Sequence, residues 1–127
     1  MTDMKKPRVF VDYGGMHMPL VLDEKYQSVT PLKPIADFFG LKWEEQRIKA
    51  NAPYWKAFFG TCVVTFVMPG DTNARHHTCI EMRRVPAYLM RINPERVRAG
   101  GNSSGADFLV AEQAELADAM FDHINGD

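Results

Sequence analysis

A glycine pair between two alternating segments constrains the start of the chain to a β-hairpin. Residues 8–13 (RVFVDY) and 16–22 (MHMPLVL) alternate apolar with polar side chains, and Gly14 and Gly15 separate them. Glycine allows the positive φ angles that a two-residue hairpin turn requires. Because Pro19 has no backbone N–H, the second strand is expected to lie at a sheet edge or to be bulged there. The first element predicted is therefore antiparallel.

A second hairpin is predicted in the middle of the chain. Residues 61–67 (TCVVTFV) are rich in β-branched side chains and form the strongest predicted strand. Residues 69–73 are rich in turn formers, and residues 78–84 (TCIEMRR) alternate again. Arg75, His76 and His77 are then expected near the tip of this hairpin.

Helical patterns occupy much of the remaining chain. Residues 31–40 and 43–51 predict two helices, residues 86–91 a short helix, and residues 94–97 a further turn. Residues 99–105 (AGGNSSG) predict a flexible loop, and residues 106–124 a final helix with an apolar stripe of 3.6-residue period. The fold class predicted is α+β: a small antiparallel sheet of two hairpins, with the first helix pair and the C-terminal helix packed on it. A chain of 127 residues is expected to form one domain, residues 1–127.

The first helix pair has the pattern of a helix-turn-helix. Ala36 is small enough for two helices to cross closely, and Gly40 suits the turn between them. Leu41 and Ile48 are expected to hold the second helix in the core. With the second hairpin as a wing, this pattern is compatible with DNA binding, although Glu44 makes the second helix less basic than a recognition helix requires.

Charge is distributed unevenly along the chain although the net charge is only −1. Residues 75–98 contain six arginines and two glutamates, whereas residues 99–127 contain six acidic residues and no Lys or Arg. Such asymmetry is typical of a surface for nucleic acid or for an anionic protein. The alternative is that the acidic segment folds back and partly neutralises the arginines.

Arginines and aromatic residues are the candidate partner-binding side chains, because these types dominate interface hot spots. The candidates are Arg47, Tyr54, Trp55, Arg75, Arg83, Arg84, Arg91, Arg96 and Arg98. Tyr54 and Trp55 belong to an aromatic cluster with Phe58 and Phe59. The alternative for Trp55, Phe58 and Phe59 is a place in the core beneath the second hairpin.

No catalytic, metal or cofactor site is predicted. His76, His77 and Cys79, with Cys62, have the side chains of a zinc site, but adjacent residues of a strand point to opposite faces. Cysteines on strands are more often buried apolar residues than nucleophiles. The glycine-rich loop lacks the preceding strand and the lysine of a phosphate-binding loop. The protein is therefore expected not to be an enzyme.

Two segments resemble the N-terminal domain of phage antirepressor proteins. Residues 29–47 (VTPLKPIADFFGLKWEEQR) are similar to the family's V-P-L-R-P-I entry, G-L-x-W turn and following Gln-Arg, and residues 84–97 (RVPAYLMRINPERV) to its short helix and I-x-P-x-R-V motif. The resemblance covers about residues 8–98. It implies a phage or prophage regulator that binds a repressor protein and cancels its action. Residues 99–127 differ from the family pattern, as a loop and an acidic helix, and the second C-terminal domain that the family frequently carries is not expected here.

Two functions therefore remain open from the sequence. The first is a protein-binding inhibitor whose partner is a phage repressor or a host regulatory or defence protein. The second is a winged-helix-like DNA-binding regulator. The near-zero net charge and the acidic final helix favour the first. The absence of a long apolar segment and of a signal peptide predicts the cytoplasm of the bacterial host, and a homo-oligomer is expected for a small regulator.

Overall fold

The α+β class is confirmed by a computed structural model, which describes residues 6–126. Residues 1–5 and 127, which belong to the predicted domain, lie outside the described residues. The strands are β1 (Val9–Tyr13), β2 (Met16–Leu22), β3 (Ser28–Pro31), β4 (Cys62–Phe66) and β5 (Arg75–Glu81). The helices are α1 (Leu32–Phe38), α2 (Trp43–Asn51), α3 (Pro53–Phe59), α4 (Val85–Met90), α5 (Pro94–Ala99) and α6 (Ser103–Ile124), and a 3₁₀ turn spans Met82–Arg84.

The two predicted hairpins belong to one antiparallel sheet of order β1-β2-β3-β5-β4. The joining strand, β3, was not predicted, because its four residues are too few for a visible alternation. It pairs with β2 through Val29 and Val21, and with β5 through Thr30 and Ile80. The expectation of an edge position for β2 is therefore wrong. Pro19 is tolerated since the β2–β3 ladder begins only at Val21, and the Thr30 hydroxyl donates to the Pro19 carbonyl at 2.8 Å.

The first strand of the second hairpin lies where predicted, but its second strand begins and ends three residues earlier along the chain. β5 starts at Arg75, opposite Phe66, and ends at Glu81. His76 and His77 therefore lie within the strand, and the predicted strand residues Met82–Arg84 form the 3₁₀ turn that leads into α4. Because β5 also pairs with β3, this hairpin is an integral part of the sheet and not a free wing.

Each face of the sheet has its own apolar cluster. Ile80 and Cys79 are adjacent on β5, so their side chains point to opposite faces. Ile80 belongs to the main core under the helices, with Leu32, Phe59 and Leu109. Cys79 belongs to a smaller cluster on the other face that includes Val21, Val29, Val64 and Phe66.

Residues 99–105 are not the flexible loop that their composition predicted. Helix α5 ends at Ala99 and α6 already begins at Ser103. Asn102 holds the junction: its side-chain oxygen accepts the Gly105 N–H at 2.9 Å, and its amide donates to the Phe38 carbonyl at 2.9 Å. Asparagine at this position satisfies an N–H group that the first turn of a helix leaves unpaired.

Only the first half of α6 packs on the body of the protein. Gln113 donates to the carbonyls of Leu89 and Ile92 at 3.2 and 2.9 Å, and Phe108 makes an edge contact with Tyr13. Beyond this point the C-terminal helix leaves the body of the protein. The 22-residue helix is about 33 Å long, and all of its residues from 117 to 124 are exposed.

The contact of α6 with the first hairpin predicts an unusual tyrosine titration. Burial and a hydrogen bond with Glu112 raise the pKa of Tyr13 from 10.0 to about 12. Because the folded pKa exceeds the unfolded one, the stability contributed by this group is full below pH 10 and is lost as the pH rises through about 12. Phenolate absorbance, taken as the difference between the wild type and Tyr13→Phe, measures this titration.

Glu112→Gln is expected to lower the Tyr13 pKa, since it removes the acceptor carboxylate and its charge. Asp118→Asn, farther along the same helix, is the matched control. A Tyr13 titration that Glu112→Gln leaves unchanged would contradict the contact.

Candidate partner-binding site

The aromatic cluster lies on α3, a helix that the sequence analysis missed. Pro53 follows α2 and occupies the first turn of α3, where a missing N–H costs nothing. Gly60 ends the helix with a φ of +63°. Phe59 is fully buried, Trp55 is half-buried, and Tyr54 is 69% exposed. The alternative of a place in the core is therefore correct for Phe59. Trp55 is only partly covered, and Tyr54 faces solvent.

Two arginines lie over the half-buried rings of α3. The Arg91 guanidinium is 4.0 Å from the Trp55 ring centre, and the Arg84 guanidinium is 4.5 Å from that of Phe58. The two rings contact each other edge to face at 6.0 Å. Each cation–π contact contributes on the order of 0.5–1 kcal/mol at an exposed site. The stacking fixes both charges in place, and the Arg84 Nε is buried with no hydrogen-bond partner among the described residues.

Arg91 also borders a cavity of about 100 Å³ between α2, α4 and α5. Three cations line it, Lys49, Arg91 and Arg96, and none of the described residues that line it is acidic. At its wall the Tyr88 hydroxyl donates to the Gln46 side-chain carbonyl, which ties α4 to α2. Burial raises the pKa of Tyr88, so its hydroxyl stays neutral. The cavity is therefore lined by positive charge, and the hydrogen bond between α4 and α2 holds one of its walls in place.

Ion pairing separates the predicted arginines into two groups. Those with a carboxylate partner are Arg47 with Glu44 (2.5 Å), Arg75 with Asp71 (3.8 Å), Arg83 with Glu81 (2.7 Å), and Arg98 with Glu95 (3.7 Å) and Asp107 (3.0 Å). Within residues 6–126, Arg84, Arg91 and Arg96 form no ion pair. The unpaired charges are the ones that lie together.

We call this contiguous region the basic–aromatic surface. Its members are Lys49, Trp55, Phe58, Arg84, Arg91 and Arg96. Four of them were candidates from the sequence, and Tyr54 lies on the same helix as Trp55. Lys49 and Phe58 were not candidates. Lys49 follows Gln46 by three residues on α2, and residues with this spacing lie on one helix face. Because Gln46 belongs to the motif that resembles the family, this spacing is a signal that could have identified Lys49.

The predicted helix pair is present, but Ile48 is 61% exposed and does not hold α2 in the core as expected. The exposed charges of the pair are largely neutralised. Gly40 makes the turn with a φ of +69°, and the Leu41 N–H donates to the Ala36 carbonyl at 2.8 Å. On α2, Glu44 pairs with Arg47, and Glu45 lies 4.0 Å from Lys42, the residue that precedes the helix. A helix that reads DNA needs free positive charge for phosphates. This outward face offers little of it.

The two histidines of the second hairpin are adjacent on β5 and point to opposite faces, whereas Cys62 and Cys79 are cross-strand partners. His77 is half-buried against Phe66, and burial lowers its pKa, whereas His76 bonds Thr65 from the opposite face. In the described part of the chain, no three His, Cys, Asp or Glu side chains are grouped so as to hold a metal ion. None of the helices described there is long and apolar enough to cross a bilayer.

A family model, the P22_AR N-terminal domain, matches residues 10–125. The match extends past residue 98, so it includes α6, which the motif resemblance left outside. No curated protein and no solved structure matches the chain at a significant level. The chain therefore belongs to the P22_AR N-terminal domain family of phage antirepressors, and this membership indicates a role in phage regulation.

Proposed function

We propose that the protein binds and inhibits another protein, and that the partner docks on the basic–aromatic surface. The observation that carries the proposal is the set of three arginines without ion-pair partners, two of them stacked on α3 rings. Stacked guanidinium groups are held in place before a partner arrives, so little side-chain entropy is lost on binding. The charge of the surface selects a partner with an acidic patch.

The residue types favour a protein over a nucleic acid. Trp, Tyr and Arg are the residues that most often dominate protein interfaces, and Trp55, Arg84 and Arg91 lie together here. Tyr54, exposed on the same helix, adds an aromatic side chain with a polar end. A partner with acidic groups around an apolar centre is complementary to this arrangement.

Membership of the antirepressor family supports a phage repressor as the partner, or a host regulatory or defence protein. The protein would act by stoichiometric binding in the cytoplasm of the bacterial host, without a catalytic step. Inhibition then follows from covering a surface that the partner needs for its own function.

Charge reversal on the basic–aromatic surface tests the proposal. Arg91→Glu with Arg96→Glu is expected to weaken partner binding at least about tenfold, because like charges then face each other. Both side chains are exposed, so the fold is retained. The matched control is Arg75→Glu with Arg83→Glu, two exposed arginines that are ion-paired. The partner is captured from phage-infected cells, purified, and titrated against each variant by calorimetry.

An equal loss in the control pair would show that overall charge is responsible and not this surface. Unchanged affinity in Arg91→Glu with Arg96→Glu would move the binding site elsewhere. Circular dichroism and thermal unfolding of each variant verify that the fold is intact.

DNA binding is the second candidate, and the helix pair with Lys49 beside a positive cavity is the observation that favours it. A DNA-binding protein loses affinity steeply as salt rises, because phosphate contacts release counterions. Fluorescence anisotropy with labelled random duplex DNA, at low and then near-physiological salt, separates the two functions. We expect no binding in either condition. Tight binding that collapses with salt would replace the protein-binding proposal.

A further inference from the structure

The outer half of α6, residues 116–124, carries the buried face of the helix out into solvent. Ala106 and Leu109 are buried against the body of the protein. Leu116, Met120 and Ile124 follow them at intervals that keep the same face of the helix. The apolar stripe therefore continues past the end of the surface that covers its first half. We call residues 116–124 the distal segment.

Three large apolar side chains of the distal segment are mostly in water. Met120 is 60% exposed, Phe121 66% and Ile124 76%. An amphipathic helix derives most of its stability from burying its apolar face. Contiguous exposed apolar surface bordered by polar residues marks an interaction site.

The charge on this half of the helix has one sign. Glu115, Asp118 and Asp122 lie beside the stripe, and none of them forms an ion pair among residues 6–126. No Lys or Arg follows Arg98 in the chain. The distal segment is therefore apolar on one side and acidic on its flank. The basic–aromatic surface has the complementary properties, namely rings in its centre and unpaired cations around them.

We propose that the distal segment of one copy docks on the basic–aromatic surface of a second copy. The inference rests on the proposed function in one respect: it assigns a second occupant to the basic–aromatic surface, which is proposed to bind the partner. The apolar stripe would pack on the rings of Trp55 and Phe58, while Asp118 and Asp122 would meet Arg91 and Arg96. Self-association and partner binding then exclude each other, so the protein holds its own binding surface closed until a partner competes for it.

Pairing of two distal segments with each other is the less favourable arrangement. It would bring Asp118 and Asp122 of each copy together, and like charges across an interface are destabilising. Docking on the basic–aromatic surface instead neutralises charge on both sides. Because the two contacting surfaces differ, the contact is heterologous, and it closes into a dimer when each copy reaches the other.

Charge exchange between the two surfaces tests the proposal with the purified protein alone. One variant reverses the distal segment, Asp118→Lys with Asp122→Lys. The other reverses the basic–aromatic surface, Arg91→Glu with Arg96→Glu. All four side chains are exposed, so neither change disturbs the core. Sedimentation velocity over a concentration series measures self-association of each variant, of their equimolar mixture, and of the chain that combines all four changes.

The wild type is expected to self-associate, and each variant to do so at least about tenfold more weakly. The mixture and the four-substitution chain are expected to regain association, because opposite charges face each other again. A wild type that stays monomeric would overturn the proposal. Loss in the distal variant with no loss in the other would show that the distal segment docks on a different surface, and absence of recovery in the mixture would exclude this contact.

The partner titration keeps the two proposals apart. The distal variant leaves the basic–aromatic surface intact, so it is expected to bind the partner at least as tightly as the wild type. Weaker partner binding by this variant would show that the distal segment is the partner site. If Arg91→Glu with Arg96→Glu abolishes partner binding but leaves self-association normal, the docking contact is overturned. The proposed function then still stands.

Discussion

Replacing Phe59 by alanine is expected to lower the free energy of unfolding by about 3–5 kcal/mol. The Phe59 side chain is fully buried in the main core. Its ring contacts those of Trp55, Phe58 and Tyr88, with centroid distances of 5.6, 5.2 and 5.7 Å. Truncation therefore removes apolar burial and leaves a cavity beneath α3. The basic–aromatic surface would loosen with it, because Trp55 supports Arg91.

Chemical denaturation measures this loss, with Tyr54→Ala as the matched control. Tyr54 lies on the same helix and is 69% exposed, so its truncation is expected to change stability by no more than about 0.5 kcal/mol. Two variants of equal stability would contradict the assignment of Phe59 to the core.

Gly14→Ala is expected to destabilise the protein by about 2–4 kcal/mol, from backbone strain and overpacking together. Gly14 has a φ of +59°, a conformation that residues with a side chain adopt only at a cost. A methyl group at this position would also overlap the Phe108 ring of α6. The substitution therefore pushes the hairpin turn and α6 apart.

Gly40→Ala separates the two contributions. Gly40 has a similar φ of +69°, but no atom lies within 4 Å of the place where its methyl group would stand. Its cost is expected to be about 1–2 kcal/mol, from the backbone alone. Combining Gly14→Ala with Phe108→Ala is expected to cost less than the sum of the two single changes, because the overlap disappears. Strict additivity in denaturant titrations would rule out the contact.

Two ion pairs that neutralise arginines outside the basic–aromatic surface follow from the spacing of the sequence. Glu44 and Arg47, and Glu95 and Arg98, are three residues apart on helices, where side chains are neighbours. Arg47 and Arg98 were nevertheless predicted as partner-binding candidates, although this spacing indicates that their charge is satisfied locally. The contact of Arg91 with Trp55 has no such signal, since 36 positions separate the two residues in the chain. The sequence therefore indicates some of the arginines that are ion-paired, but it does not indicate which of the others stack on aromatic rings.

Local patterns by themselves determined most elements of this protein. The Gly14-Gly15 turn, the β-branched residues of β4 and the spacing of α1 and α2 act between near neighbours in the chain, so they can be read without the fold. Where short segments depend on distant partners, the tertiary structure decided the outcome. The four residues of β3 became a strand because β2 and β5 flank them, and the apolar stripe of α6 lost its cover after Leu116 because the body of the protein ends there. Burial is set by what surrounds a side chain in space, and periodicity specifies only which face of an element is apolar.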